Sequence, residues 1–92
     1  MKLSITAAAA ERFRLEWGFQ DNDQIRVFVR YSGGSSDAYS FGIMKDVPRY
    51  AAVTSQEQGI MFFMEQNDIW FLDGHDLVID SEQDEIVFRL HS

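Results

Sequence analysis

The feature that most constrains the fold is a short stretch of alternating side chains. Residues Ile25–Tyr31 read IRVFVRY, in which Val27 and Val29 alternate with arginines and a phenylalanine. A period of two residues is typical of a strand with one buried face. The glycine and serine run Ser32–Ser36 interrupts this pattern, and Tyr39–Met44 resumes it. The sequence therefore predicts two paired strands joined by a wide loop.

One clear helix is predicted near the start of the chain, after a short strand at Lys2–Ile5. Thr6 is a suitable N-cap, because its hydroxyl can accept a bond from an early helix amide that has no other partner. Ala7–Trp17 is rich in strong helix formers, and Gly18 suits the left-handed residue that often ends a helix. An apolar stripe at fourfold spacing gives the helix a core-facing side: Ala9, Phe13 and Trp17.

The rest of the chain predicts further short strands separated by turns at Gly59 and in the acidic segment Ser81–Glu85. These strands are Tyr50–Ser55, Ile60–Met64, Leu77–Asp80 and Ile86–Leu90. Ile60–Met64 is apolar throughout, so both its faces are covered or one face is a contact surface. We expect one mainly β domain over residues 1–92, with about seven strands and a core that includes Phe13, Val27, Val29, Phe41 and Leu72. For Trp70, we expect a core position rather than an interface.

Composition excludes several classes of function. The 92 residues carry a net charge of −7, and six acids lie within residues 73–85. Such a surface repels nucleic acid, whose binding needs Lys and Arg to neutralise phosphates. We read this acidic face as a solvated surface rather than as a docking site for a basic partner. The sequence has no apolar run long enough for a membrane span and no recognisable signal peptide, so we expect a cytoplasmic protein that binds no membrane.

Two short segments resemble the HesB/IscA family, the A-type iron–sulfur carrier domain. In the first, Ser32, Gly33 and Ser35 match the Ser, Gly and Ser of the family's ligand loop, and Gly34 stands where the first cluster cysteine belongs. The second is FLDGHDL at Phe71–Leu77, which contains the family's Leu-Asp-Gly turn. The chain has no cysteine at all, and the sequence stops at Ser92 before the family's Cys-Gly-Cys tail. It is most similar to the short YneR-like branch, which lacks that cysteine pair.

The resemblance implies a HesB-like fold of two small packed sheets with an N-terminal helix. It also implies a short helical turn at Asp68–Leu72, where propensity alone favours a strand. Clusters are held by thiolates, so we expect no iron–sulfur cluster and no other cofactor. The favoured interpretation is a non-enzymatic interaction or accessory module that binds a protein partner or forms a homodimer. Its site would be the motif loop and turn: Ser32, Gly33, Gly34, Ser35, Asp73 and His75.

Two alternatives of other classes remain open. A mononuclear metal site could use Asp73, His75 and Asp76, with His91 nearby in the fold; a tightly bound metal needs at least three ligands. A small hydrolase could use Ser35 or Ser36 as nucleophile, His75 as base and an aspartate to orient it. The Gly-x-Ser-x-Gly pattern of many hydrolases is absent, which disfavours the second alternative.

Overall fold

The computed structural model describes residues 1–31 and 39–91 and confirms a mainly β fold. The described residues form seven strands, one α-helix and one 3-10 turn. Within them, neither helical segment has the length and apolar character that a membrane span requires. The elements in chain order are β1 (Leu3–Ile5), α1 (Ala7–Glu16), β2 (Gln24–Tyr31), β3 (Tyr39–Lys45), β4 (Ala51–Glu57), β5 (Ile60–Glu65), the 3-10 turn (Ile69–Leu72), β6 (Asp76–Glu82) and β7 (Glu85–His91).

The strands form two sheets. The three-stranded sheet has the order β1-β6-β7, and the four-stranded sheet has the order β3-β2-β5-β4. β1 runs parallel to β6 and β2 runs parallel to β5, while the other neighbours are antiparallel. β2 and β3 pair as the alternating pattern predicts, with Tyr31 opposite Tyr39 at the end nearest the intervening segment. Strands β3 and β7 lie at sheet edges on the same side of the molecule, where Phe41 stacks on Phe88 at 5.1 Å between ring centroids.

Helix α1 begins where its sequence predicts. The Thr6 hydroxyl accepts the Ala9 N–H at 3.1 Å and donates to the Asp80 carboxylate at 2.7 Å, so the cap also ties the helix to β6. The Thr6 hydroxyl, Arg89 and the Ser81 N–H all hydrogen-bond to this carboxylate and hold the pKa of Asp80 below its ordinary value. The helix ends at Glu16, one residue before the predicted end, and Gly18 has the expected positive φ of 74°. Trp17, the last member of the apolar stripe, is 46% exposed, and its ring contacts those of Phe13 and Phe19.

The core lies between the sheets and beneath the helix. Phe13, Val27 and Leu72 are fully buried, as predicted. Strand β5 is covered on both faces, which decides between the two alternatives for that apolar run. The prediction was wrong for Val29 and Phe41, which are only half-buried. They lie on β2 and β3 toward the Tyr31–Tyr39 end of the hairpin, where the next residue pair is exposed.

Two strand connections are tighter than the sequence suggests. Gln58 and Gly59 join β4 to β5 with φ of 51° and 79°, and Gln83 and Asp84 join β6 to β7 with φ of 51° and 65°. Two consecutive residues with positive φ are the mark of the type I′ hairpin turn, whose twist matches that of the flanking strands. The acidic turn is therefore two residues long rather than the five residues Ser81–Glu85, and β6 and β7 are longer than predicted.

Gly42 should be intolerant of a side chain. It lies opposite Phe28 in the β2–β3 pair, and a Cβ placed on it would approach the Phe28 ring to 2.4 Å. We expect Gly42→Ala to lower the free energy of unfolding by about 1–3 kcal/mol, the usual cost of overpacking. Chemical denaturation would measure this loss. In the Phe28→Ala background the same substitution should cost clearly less, and an equal cost in both backgrounds would contradict a clash with this ring.

Candidate functional site

The residues on either side of the first family-like segment, Tyr31 and Tyr39, lie at the same end of the molecule as the second. Ser32, Gly33, Gly34 and Ser35 lie outside the described residues, so their predicted role stays a prediction. Strand β2 ends at Tyr31, and β3 begins at Tyr39. The Tyr39 ring contacts the Trp70 ring at 5.4 Å between centroids. The ends of the first motif therefore lie beside the turn that carries the second.

An exposed aromatic patch marks this end of the molecule. We define the aromatic patch as Tyr31, Tyr39, Trp70 and Phe71. Tyr31 is 67% exposed, Trp70 57% and Tyr39 46%, while Phe71 is half-buried. The rings contact one another at centroid distances of 5.3 Å for Tyr31 and Tyr39 and 5.5 Å for Trp70 and Phe71. The expected core position of Trp70 is therefore wrong: the side chain faces solvent within a connected group of rings.

The aromatic patch packs against rings in the interior of the protein. Phe71 contacts Phe41 edge to face at 5.2 Å, and Phe41 in turn stacks on Phe88 of the opposite sheet. Aromatic pairs in such arrangements add about 0.5–1.5 kcal/mol beyond the burial of their area. The exposed rings are thus the outer members of a row that begins between the two sheets.

The turn after the 3-10 segment is the predicted Leu-Asp-Gly turn. Asp73 and Gly74 both have positive φ, 49° and 80°, which reverses the chain before β6. Asp73 is exposed. The His75 N–H donates to the Leu72 carbonyl at 2.9 Å, and Nδ1 of the same residue lies 3.0 Å from that oxygen. A carbonyl can only accept, so this contact requires the proton on Nδ1. His75 therefore closes the turn.

The predicted metal ligands are not assembled into a site. The Asp76 carboxylate accepts a hydrogen bond from the backbone N–H of Lys2 at 2.8 Å. Asp76 lies opposite His91 in the register of β6 and β7. No three ligating side chains converge among residues 1–31 and 39–91. Asp73 is exposed, the His75 ring contacts the Leu72 carbonyl, and Asp76 bonds to the chain before β1, so the three side chains serve separate contacts. For the hydrolase alternative, Ser35 and Ser36 lie outside the described residues.

A buried ion pair, absent from the sequence-based predictions, holds the patch in place. Asp68 is only 7% exposed. Its Oδ2 accepts from Nη2 and Nε of Arg26 at 2.6 and 3.2 Å, and its Oδ1 lies 3.3 Å from the Val29 amide nitrogen that donates to it. The hydrogen bond to Asp68 is the main cause that raises the pKa of Arg26. Because Asp68 immediately precedes the 3-10 turn, the pair attaches the turn that bears Trp70 to strand β2.

Glu65 is a second buried carboxylate that the sequence pattern did not reveal. It is the last residue of β5, and its two oxygens accept the backbone N–H groups of Arg49 and Tyr50 at 2.8 and 2.7 Å. The chain before β4 is thereby fixed to the end of β5. Backbone amides can satisfy a buried carboxylate without a side-chain partner, which leaves no local sequence signal.

Comparison with known proteins agrees with the motif resemblance. The whole chain, residues 1–92, matches the model of the iron–sulphur cluster biosynthesis family. A "Pyruvate dehydrogenase inhibitor" of Bacillus subtilis is 38% identical over 86 residues, which cover 91% of this chain and 90% of that protein. The HesB/IscA resemblance is confirmed.

Two solved structures share the fold. Escherichia coli SufA, described as involved in the biosynthesis of iron–sulfur clusters, gives a TM-score of 0.61 at 21% identity, over 98% of this chain and 79% of that one. IscA with a [2Fe-2S] cluster gives 0.60 at 17% identity, over 98% and 84%. The HesB-like arrangement of two sheets and an N-terminal helix is therefore confirmed.

The donor groups of this chain do not fit a cluster of that kind. Iron–sulfur clusters are held by cysteine thiolates, and none of the 92 residues is a cysteine. Beside its Leu-Asp-Gly turn the structure presents aromatic rings, a carboxylate and an imidazole whose Nδ1 contacts a backbone carbonyl. Hydroxyl, carboxylate and phenyl groups are poor ligands for such soft centres, and a single imidazole cannot replace a full set of thiolates. The residues of this chain therefore cannot hold a cluster through thiolates.

The Arg26–Asp68 pair should be important for stability. Asp68→Ala removes the closest partner of the Arg26 guanidinium, which keeps only a longer contact with Asp46 at 3.4 Å. We expect a loss of about 1.5–3 kcal/mol in the free energy of unfolding, the usual value of a hydrogen bond to a charged group. The double variant Arg26→Met/Asp68→Leu removes both charges and should regain part of that loss. Urea denaturation of the three proteins is the measurement. An Asp68→Ala protein as stable as the parent would contradict this role.

Proposed function

This chain belongs to the iron–sulphur cluster biosynthesis family, and we propose that it acts by binding another protein rather than by carrying a cluster or catalysing a reaction. The observation that carries the proposal is the aromatic patch. Its three exposed rings belong to Tyr31 and Tyr39, on either side of the first motif, and to Trp70, just before the Leu-Asp-Gly turn. The proposed contact surface also includes Asp73 and the motif segment with Ser32, Gly33, Gly34 and Ser35.

The patch has the composition and geometry of an interface centre. Tyr and Trp are the residues that most often dominate binding energy, because they bring a large contact area at a low entropic cost. Scattered single apolar residues on a surface need no explanation, whereas contiguous ones mark contact sites. Tyr31, Tyr39 and Trp70 are contiguous, and the contacts of Phe71 with the half-buried Phe41 fix the base of the patch.

We infer that the partner is pyruvate dehydrogenase and that binding inhibits it. This identity rests on the relative with that printed name, which is aligned over nine-tenths of both chains. This protein would inhibit stoichiometrically, because it would occupy a surface of the enzyme without catalysing a reaction. Such a contact needs neither a metal site nor a cluster. A second copy of this chain is the competing binder, since a homodimer formed through the patch would cover the same rings.

The first test is inhibition of the enzyme. Pyruvate-dependent NADH formation by pyruvate dehydrogenase from the same host is measured while the concentration of this protein is varied. We expect inhibition by the parent, and Trp70→Ala should raise the inhibition constant about 30-fold, the equivalent of about 2 kcal/mol for a central aromatic residue. Tyr50→Ala is the matched control, because Tyr50 is 76% exposed but lies immediately before β4, outside the patch.

The outcomes separate the two parts of the proposal. If the parent protein does not inhibit pyruvate dehydrogenase, the enzyme is not its partner. Inhibition that Tyr31→Ala/Trp70→Ala leaves unchanged, at unchanged thermal stability, would disprove the patch as the surface. Sedimentation of the parent alone gives the oligomeric state, and a dimer that Trp70→Ala dissociates would assign the patch to self-association.

A second test concerns the cluster. We expect anaerobic reconstitution with iron and sulfide to leave the purified protein without the visible absorption of a thiolate-held cluster, because it has no thiolate ligand. IscA treated in parallel serves as the positive control, since it has been seen with a [2Fe-2S] cluster. Stoichiometric iron and sulfide retained by this chain after gel filtration would overturn the expectation.

A further inference from the structure

A groove along the edge of β3 forms a second surface that the proposed function does not use. Its volume is about 450 Å³, within the range of pockets that take specific ligands. The apolar part of the lining comes from the end of α1 and from both sheets: Trp17, Phe28, Phe41, Ile43, Ile86 and Phe88. The groove therefore offers apolar walls on three structural elements.

The groove lies between two sheet edges. β3 is the outer strand of the four-stranded sheet and β7 is the outer strand of the three-stranded sheet. Within the described part of the chain, β3 pairs only with β2 and β7 pairs only with β6. An edge strand presents alternate N–H and C=O groups that can pair with an added strand. Side chains join the two edges where Phe41 stacks on Phe88.

Gly42 shapes the groove from the middle of β3. Because it has no side chain, the ring of Phe28 on the neighbouring strand can lie over it, and both residues line the groove. A glycine within a strand often marks a close approach by another group. Here it brings the Phe28 ring to the sheet edge, which increases the apolar surface available to an incoming chain.

The charges in the groove are unevenly distributed. At the end formed by α1 and the β6–β7 turn, Glu16, Asp84 and Glu85 carry three negative charges against the single positive charge of Arg12. Arg12 already contacts Glu16 and Asp84. Arg30 lines the groove on β2, in register with Ser40 near the opposite end of β3. A ligand with a positive charge beside the turn would complement this distribution.

We propose that this groove binds an extended peptide segment of a partner protein, which adds to β3 as a further strand. The segment would carry alternating apolar side chains and a Lys or Arg at the end beside Asp84 and Glu85. Main-chain hydrogen bonds to an edge give affinity in such complexes, and side-chain pockets give specificity. The proposal does not depend on the identity of the enzyme, because the groove lies apart from Trp70 and Asp73.

An extended segment suits this groove better than a second copy of the chain. The edge of β3 is flanked by the end of α1 and by the β6–β7 turn. A folded sheet that brought its own edge strand would have to pass both, whereas a single extended strand would not. Dimerisation through β3 is therefore treated as a competing outcome of the test.

The test uses the full chain and a synthetic peptide, Ac-Thr-Val-Thr-Val-Thr-Lys-Lys-amide. Amide chemical shifts of the nitrogen-15-labelled protein are followed during titration. We expect saturable shifts at the β3 amides between Tyr39 and Lys45. Of two peptides whose alternate nitrogens are methylated on opposite edges, one should lose binding and the other keep it, since only the N–H groups that face β3 donate to it. Asp84→Asn/Glu85→Gln should weaken binding at least tenfold, whereas Glu11→Gln, an exposed acid outside the groove, should not.

Three results would overturn the proposal. The first is the absence of shifts at millimolar peptide. The second is binding that both N-methylated peptides reproduce, because a strand addition needs the backbone donors. The third is a dimer without peptide, detected by sedimentation, whose β3 amides are protected from hydrogen exchange; this would assign the edge to a second copy. Thermal melting of each variant verifies that the fold is retained.

Discussion

The arrangement of the contact surface depends on the buried pair between Arg26 and Asp68. The pair joins an outward-facing residue of β2 to the residue that begins the 3-10 turn, and the N–H of Val29 adds a third bond. A buried carboxylate costs free energy unless its oxygens are satisfied, so each oxygen of Asp68 has a donor. Because Trp70 follows two residues later and contacts Tyr39, the pair sets the position of the rings relative to the β2–β3 hairpin.

The family fold and the site chemistry have separate physical origins in this chain. The fold requires alternating strands, a capped helix and two tight turns, and none of these needs a thiol. A cluster requires soft ligands, and this sequence has none. At the same end of the molecule, apolar area has been kept exposed on Tyr31, Tyr39 and Trp70. Contiguous exposed apolar area, unlike scattered single residues, marks contact sites, which is why we interpret it as a surface for a partner.

The sequence predicts the parts of the fold that depend on local chemistry. The alternation in β2, the Thr6 cap and the positive φ of Gly18 and Gly74 follow from rules that act over a few residues. The Arg26–Asp68 pair does not, because its members are 42 positions apart. Apolar composition placed Trp70 in the core, but composition cannot distinguish a ring that fills the interior from one that stacks on another exposed ring. The half-burial of Phe41 likewise depends on where the opposite sheet ends.

Strand β3 connects the two proposed surfaces. Its first residue, Tyr39, belongs to the aromatic patch, while Phe41, Gly42 and Ile43 line the groove. Position at a sheet edge makes both possible, because a central strand would have a neighbour on each side and no free backbone groups. A partner that contacts the rings with a folded surface could therefore place an adjoining segment along the same strand. The two contacts would then be linked through one rigid element, so that their combined affinity exceeds that of either alone.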